Sequence, residues 1–193
     1  LSPVAFLSGI NIVRDACEHP VVGKYIHKVQ FDELMQTLDL PMDELQKFAS
    51  DVLERFENPF VDHQVTSIML NSFPKYETRD LPGVKIYLER KGELPQGLVF
   101  GLAAIITYYK GGTRADGTAI VPNDDQKIMD LLKELWATGD TQKVAEGVLA
   151  ATDVIWKESK QNLNEIPGLT ALVKKDLDLI QEKGMLEAVK TIL

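Results

Sequence analysis

The segment 45–56 reads Leu-Gln-Lys-Phe-Ala-Ser-Asp-Val-Leu-Glu-Arg-Phe and has the apolar spacing of an amphipathic α-helix. Its apolar residues recur at steps of three and four positions: Leu45, Phe48, Ala49, Val52, Leu53 and Phe56. Since residues three and four apart lie on the same side of a helix, these side chains are expected to form one packing face. We expect Lys47, Asp51 and Glu54 on the opposite face, exposed to solvent.

Helical periodicity extends along the whole chain, and strand signals are scarce. No Asn-Gly turn separates alternating segments, and β-branched residues lie inside helical repeats. The sequence therefore predicts an all-α fold. Helices are predicted over residues 3–18, 21–37, 42–55, 60–73, 82–90, 94–109, 124–137, 141–157, 168–183 and 185–192.

Turn-forming residues between these segments agree with the helical interpretation. Helix N-caps are predicted at Asp39 before Pro41, at Asp80 before Pro82, at Asn123 or Asp124 before Gln126, and at the joint 139–141. The polar segment 113–123 is the longest loop and the best candidate for a mobile segment. It is either a lid or a surface excursion, and the second interpretation is favoured.

Composition and charge exclude several classes of protein. The chain has 193 residues, of which 45% are hydrophobic, so disorder is not expected. The formal net charge of -8 is opposite to that of a nucleic-acid-binding surface. The apolar run 98–109 is shorter than the roughly 18 to 20 residues that a membrane span requires. We expect a soluble, cytoplasmic protein that contacts neither nucleic acid nor membrane.

Cysteine and glycine patterns restrict the cofactors that this chain can hold. Cys17 is the single cysteine and is interpreted as a small buried hydrophobe, and no zinc-binding spacing is present. Neither GxGxxG nor GxxxxGKS occurs, so we expect no nucleotide and no metal to bind to this chain. The segment 1–7 is apolar, lacks an initiator Met and does not resemble a natural start. We therefore expect a fragment of a longer protein.

The densest mixture of polar and apolar residues lies in 55–64 and 74–82. If a helix continues through Pro74, Asn71, Lys75 and Thr78 or Arg79 share one face, because residues three and four apart lie over one another. Pro74 cannot donate to the carbonyl of Leu70, so a kink or an end is expected there. An amide, an ammonium and a guanidinium could bind a polyhydroxy carboxylate. The alternative is a solvated helix end with cations near its C-terminus.

Histidine offers no clear catalytic arrangement. His19 is interpreted as a loop residue and His27 as a surface residue. Only His63 lies in the polar region, where a structural role and a role in substrate binding both stay open. No Ser-His-Asp or Cys-His arrangement supports nucleophilic catalysis.

Several short motifs resemble the mannitol dehydrogenase family of long-chain polyol dehydrogenases, and within it the tagaturonate reductase branch. They are Pro3-Val-Ala-Phe-Leu-Ser-Gly, Arg55-Phe-Glu-Asn-Pro-Phe, His63-Gln, Asn71-Ser with Lys75 and Thr78-Arg79, Lys91-Gly-Glu-Leu-Pro, and Tyr108-Tyr-Lys-Gly. The resemblance covers residues 1–115 and weakens toward Leu193.

The resemblance implies a two-domain enzyme with a Rossmann-type NAD domain upstream. This chain would be its helical C-terminal substrate domain, similar to the 6-phosphogluconate dehydrogenase C-terminal-like fold. The family's catalytic motif is a Lys, an Asn five residues later and a His three residues after that. The motif is absent here, so we expect no catalytic residue in this chain and no hydride transfer by this chain alone.

The resemblance also implies a substrate and a set of binding residues. The intact enzyme would interconvert D-tagaturonate and D-altronate with NAD as its cofactor. The substrate-binding candidates are Asn71, Lys75, Thr78, Arg79 and His63. Lys75 or Arg79 would hold the carboxylate or the distal hydroxyls, and Asn71 would bind a hydroxyl. The alternatives are a reductase of another polyol or sugar acid in the same family, and a free-standing helical protein-interaction module.

Overall fold

The computed structural model describes residues 1–193 and confirms the all-α fold class. The α-helices are α1 (Ser2–Leu7), α2 (Val13–Glu18), α3 (Val22–His27), α4 (Met42–Phe56), α5 (Val65–Met69), α6 (Ser72–Lys75), α7 (Leu81–Lys91), α8 (Gln96–Tyr108), α9 (Gln126–Ala137), α10 (Thr141–Leu149), α11 (Leu169–Lys183) and α12 (Met185–Lys190). Two π-helical segments, Lys28–Glu33 and Tyr76–Asp80, and two 3₁₀ segments, Leu34–Thr37 and Leu163–Glu165, complete the helical structure.

Helix α8 lies at the centre of the molecule. Eleven of its 13 residues are buried, because almost all of its side chains are apolar and no face is polar enough to meet solvent. It packs against α1 on one side and against α11 on the other. A single cluster of 43 buried residues therefore runs from Val4 to Ile192 and joins both halves of the chain. None of the helices combines the length and the apolar character that crossing a membrane demands.

Three predicted helices are shorter than their periodicity suggested. The segment 3–18 is divided into α1 and α2 at Gly9, whose φ of +92° belongs to a turn. The predicted helix 60–73 begins only at Val65, and Asn71, left-handed with φ of 54°, separates α5 from α6. Helix α10 ends at Leu149, and turns follow it. At Gly9 and at Asn71, a local backbone conformation interrupts a continuous apolar pattern.

The helix is interrupted at Asn71, which is three residues before the predicted position at Pro74. Pro74 occupies the first turn of α6, where a missing backbone N–H costs nothing because the first N–H groups of a helix have no partner. Helical structure therefore continues through Pro74, and the chain turns at Asn71 instead.

The N-caps predicted at Asp39 and Asp80 are wrong, whereas helix caps are present at or next to the other two predicted positions. Asp39 lies outside the helix and accepts a hydrogen bond from Arg90 (2.6 Å). Asp80 makes no capping hydrogen bond, because the π-helical segment runs directly into α7 and leaves no free helix start. Asp125 caps α9 by accepting from the backbone N–H of residue 127, one position after the predicted pair. Asp140 caps α10 as expected.

Helix α4 has a narrower packing face than predicted. Leu45 and Ala49 are buried, whereas Phe48 is 66% exposed and Phe56 is 38% exposed. The helix lies at the edge of the molecule, and its main contacts are with α2 and with the segment 28–37. Phe48, on the outer side of the helix, is consequently mostly uncovered within this chain.

The loop 113–123 is folded and attached to the core, and it contains the only strand pair. The strands β1 (Gly112–Thr113) and β2 (Ala119–Ile120) are antiparallel, a feature that the sequence did not predict. The Arg114 side chain is 3% exposed and ion-pairs with Asp116 (2.6 Å). It also donates to the Phe6 carbonyl and to the Asn11 side chain, both at 2.9 Å. These contacts hold the loop against α1.

Candidate functional site

A cavity of about 270 Å³ lies between the first two helices and the segment 65–80. Helices α1 and α2 form one wall, and α5, α6 and the following π-helical segment form the other. Ile105 of α8 contributes from the core. The lining is mostly apolar and contains a few polar groups, which is the usual composition of a small-molecule site.

Most of the polar groups of the cavity come from one short stretch of chain. Its polar lining consists of Ser72, Lys75, Tyr76, Arg79 and Asp80, together with Ser2 and Cys17. The Lys75 ammonium donates to the Ile68 carbonyl (2.8 Å), which holds the end of the side chain against α5. Arg79 makes no hydrogen bond or ion pair with any protein group, so its guanidinium is available to a ligand.

The π-helical segment Tyr76–Asp80 explains why these side chains meet. A π-turn closes between residues five apart, and a residue is added relative to the α-helical turn. Lys75, Arg79 and Asp80, at spacings of four and five, therefore all reach the same cavity. Single π-turns inside helices occur frequently at functional sites.

Burial decides the charge state of the cavity groups. Burial, with a smaller contribution from Glu57 and Glu18, raises the pKa of the Cys17 thiol to about 11, so the thiol stays protonated at neutral pH. Burial likewise raises the pKa of the Tyr76 hydroxyl, which donates to the Leu98 carbonyl (3.2 Å). Neither the thiol nor the phenol is therefore a nucleophile. The charged side chains of the lining are Lys75, Arg79 and Asp80.

The candidate residues from the sequence divide into two groups. Lys75 and Arg79 line the cavity, whereas Asn71, Thr78 and His63 do not. Asn71 is exposed at the chain turn, and the Thr78 hydroxyl donates to the Pro74 carbonyl (2.9 Å). The substrate-binding role of all five residues stays a prediction.

The other histidines have structural environments. His19 accepts from the backbone N–H groups of Val21 and Val22 at 3.3 and 3.2 Å, and so supports the start of α3. His27 stacks on Phe31 with ring centroids 4.2 Å apart. Groups of three or more His, Cys, Asp or Glu side chains suited to a metal ion do not occur.

Sequence reasoning missed Ser72, Tyr76 and Asp80 as members of the cavity. Asp80 was interpreted as a helix cap because Pro82 follows it, and its five-residue spacing from Lys75 does not match an α-helical face. Only the π-turn brings it to the cavity. Pro74 indicated that the helix would be irregular in this region, but it did not indicate a π-turn.

Comparison with known proteins identifies relatives of the whole chain. Altronate oxidoreductases from Phocaeicola vulgatus and Bacteroides thetaiotaomicron are 81% and 78% identical over 193 residues, which is 100% of this chain. The altronate oxidoreductase of Pectobacterium atrosepticum is 40% identical over 196 residues, covering 98% of the chain. The chain spans 40% of the length of each of these relatives.

The fold also matches a solved structure. Pseudomonas fluorescens mannitol 2-dehydrogenase, in a ternary complex with NAD and D-mannitol, superposes with a TM-score of 0.80 and 19% identity, over 100% of this chain and 37% of that one. A family model for the mannitol dehydrogenase C-terminal domain matches residues 1–181. The chain therefore belongs to the mannitol dehydrogenase C-terminal domain family.

Proposed function

We propose that the protein containing this chain is an NAD-dependent oxidoreductase that interconverts D-tagaturonate and D-altronate. This chain would form the substrate-side wall of its active site. The observation that carries the proposal is the cavity in which Lys75 and Arg79 place two cations beside an otherwise mostly apolar lining. The 81% identity of this chain to an altronate oxidoreductase supports a sugar acid as the substrate.

The two cations suit the acidic end of a sugar acid. A guanidinium can hold a carboxylate through two parallel hydrogen bonds, and an ammonium adds a compact point charge. Arg79 has no protein partner to give up, and Lys75 is already directed by its bond to the Ile68 carbonyl. Binding the carboxylate here would fix which end of the substrate carbon chain faces the reacting centre.

The reacting groups would come from the part of the protein outside this chain. No Lys in this chain is followed by an Asn five residues later and a His after three more, and no glycine-rich phosphate-binding motif is present. NAD, bound by the other part, would accept or supply the hydride. The role of this chain would be to bind and orient the sugar acid and to keep water away from it.

Exposed apolar residues support a partner surface on this chain. Nine of its twelve exposed large hydrophobic residues lie between Leu38 and Leu70, and Phe60 is 92% exposed. Phe56 and Ile68 belong to this group and also line the cavity. We call these nine residues the apolar band: Leu38, Leu40, Met42, Phe48, Phe56, Phe60, Val61, Ile68 and Leu70. The band is where the rest of the protein would cover both the surface and the cavity.

The proposal is tested by assaying the whole protein, with its upstream segment, for NADH oxidation. D-tagaturonate should support turnover far better than D-fructuronate, which has the carboxylate but a different hydroxyl configuration. D-tagaturonate should also be far better than D-fructose and other neutral ketoses, which lack the carboxylate. Efficient turnover of a neutral ketose alone would assign the protein to another branch of the family. Absence of turnover with every hexuronate and polyol would refute the proposal.

A further inference from the structure

Asp80 is a carboxylate without a partner. It lines the cavity together with Lys75 and Arg79, and it is partly buried. Its oxygens accept no hydrogen bond from any protein donor. No ammonium or guanidinium lies within 4.0 Å of them, so it forms no ion pair either.

The other shielded carboxylates of the chain all have donors. Six acidic side chains are buried or partly buried: Glu33, Glu77, Asp80, Asp124, Asp176 and Asp178. Every member of this set except Asp80 accepts at least one hydrogen bond. Glu77, for example, accepts from the backbone N–H and the hydroxyl of Ser159, both at 2.8 Å. Asp80 is therefore the exception in a molecule that otherwise satisfies its shielded carboxylates.

An unpartnered carboxylate in an apolar setting is unfavourable. It loses hydration, and a compensating donor is normally found nearby. The Ser72 and Tyr76 hydroxyls of the lining donate to the Met69 and Leu98 carbonyls instead of to Asp80. Burial raises the pKa of the Asp80 carboxyl, and the nearby charges of the Leu1 terminal ammonium and Arg79 oppose that rise without contacting it. A donor brought by a ligand would remove this cost, and a hydroxyl donating to a carboxylate makes one of the stronger hydrogen bonds in proteins.

Resting on the function proposed above, we infer that Asp80 accepts a hydrogen bond from a substrate hydroxyl. The anionic end of the substrate is repelled by Asp80 and attracted by Lys75 and Arg79, so the three residues together impose one orientation. A carboxylate accepts and cannot donate, so it selects a hydroxyl over a carbonyl or a carboxylate at that position. Asp80 is thus a specificity-determining residue for polyhydroxylated acids.

The test is a double-mutant cycle in the whole protein. The substrates are D-tagaturonate and a series of its deoxy analogues, each lacking one hydroxyl, and the enzymes are wild type and Asp80→Asn. For one analogue, kcat/KM of the wild type should fall about 10- to 100-fold, as expected for losing a hydrogen bond to a charged group. The Asp80→Asn enzyme should show the same low kcat/KM with D-tagaturonate and little further loss with that analogue.

A matched control is Asp153→Asn, since the Asp153 side chain is 90% exposed and lies outside the cavity. Its kcat/KM should stay within about twofold of wild type. Thermal unfolding checks that each variant is folded, and Asp80→Glu replaces Asp80→Asn in the cycle if the latter does not fold. If the wild type turns over D-tagaturonate, but every deoxy analogue lowers kcat/KM equally in the wild type and in the Asp80 variant, the inference is overturned. The proposed function would then stay intact. Absence of turnover by the wild type would overturn the proposed function itself.

Discussion

The Asp176 carboxyl on α11 has no exposed surface, and its hydrogen bonds come from one amide. The Gln96 side chain donates to its two oxygens at 3.2 and 3.4 Å. Burial raises the pKa of Asp176 from its ordinary 3.8 to about 7, although Lys175 and Gln96 oppose the shift. Because the folded state binds this proton more tightly than the unfolded state, Asp176 lowers stability as pH rises through that window.

We predict that Asp176→Asn flattens the pH dependence of stability. In the wild type, the contribution of Asp176 to the free energy of unfolding should fall between pH 4 and pH 7 by at most about 1.4 kcal/mol per pH unit, and stay constant above. Asparagine keeps the shape and the bond to Gln96 but cannot ionise. Urea denaturation at several pH values measures this, with exposed Asp130→Asn as the control. A variant with the same pH slope as the wild type would contradict the assigned burial.

Residue chemistry also shows what the sequence could reveal about the site. Lys75 and Arg79 were recognisable because cations beside an amide suit a sugar acid, and both line the cavity. Asn71 was included by helical spacing, but its left-handed backbone turns it out to solvent. Asp80 was missed because its membership depends on a π-turn, for which no composition or spacing rule exists.

At the scale of elements, the start of α8 depends on a carboxylate from a distant part of the chain. The Glu33 oxygens accept from the backbone N–H groups of Gly97 and Leu98 at 2.7 and 2.8 Å. These N–H groups belong to the first turn, where no helical carbonyl is available. Gly97 is required there, because a Cβ would lie 2.7 Å from a Val29 methyl group and 3.0 Å from the Glu33 carboxylate.

We predict that Glu33→Gln lowers the free energy of unfolding by about 1–3 kcal/mol, since one glutamine NH₂ would face a buried N–H donor and leave it unsatisfied. Chemical denaturation of this chain measures the loss. The control is Glu44→Gln, an exposed position on α4, which should change stability by less than about 0.5 kcal/mol. Equal stabilities of the two variants would mean that Glu33 does not cap α8.

Element prediction succeeded where one regular pattern continued. Helices α4, α8, α9 and α11 were predicted within a few residues of their bounds, because their apolar periodicity persists for three turns or more. The break at Gly9 and the π-turns were not predictable in this way. They depend on tertiary contacts, such as the packing of α1 on α5, that a periodicity does not contain.

At the scale of the whole molecule, one continuous core coexists with an uncovered apolar band. The 43-residue core spans the chain from α1 to α12. The apolar band has no partner within the chain, and relatives extend well beyond the length that this chain covers. The apolar segment 1–7 is largely buried within this chain, and the uncovered apolar residues lie mostly in 38–70.

The apolar band leads to a prediction that compares the chain with the whole protein. Phe60→Ser should change the stability of this chain by less than about 0.5 kcal/mol, because Phe60 is 92% exposed. In the whole protein, the same substitution should lower the free energy of unfolding by about 1.5–3 kcal/mol if the band is covered. Val121→Ser, at a 72% exposed position outside the band, should have a small effect in both. Equal effects of Phe60→Ser in the two proteins would show that the band stays uncovered.

The most direct test of the account is the kinetic effect of removing each cavity cation in the whole protein. Lys75→Met and Arg79→Met should each lower kcat/KM for D-tagaturonate by about 10- to 100-fold, mainly through a higher KM, because the lost bond is present in both the ground state and the transition state. Lys133→Met, an exposed position on α9, should stay within about twofold of wild type. Wild-type KM values for both cavity variants would contradict the claim that this cavity binds the sugar acid.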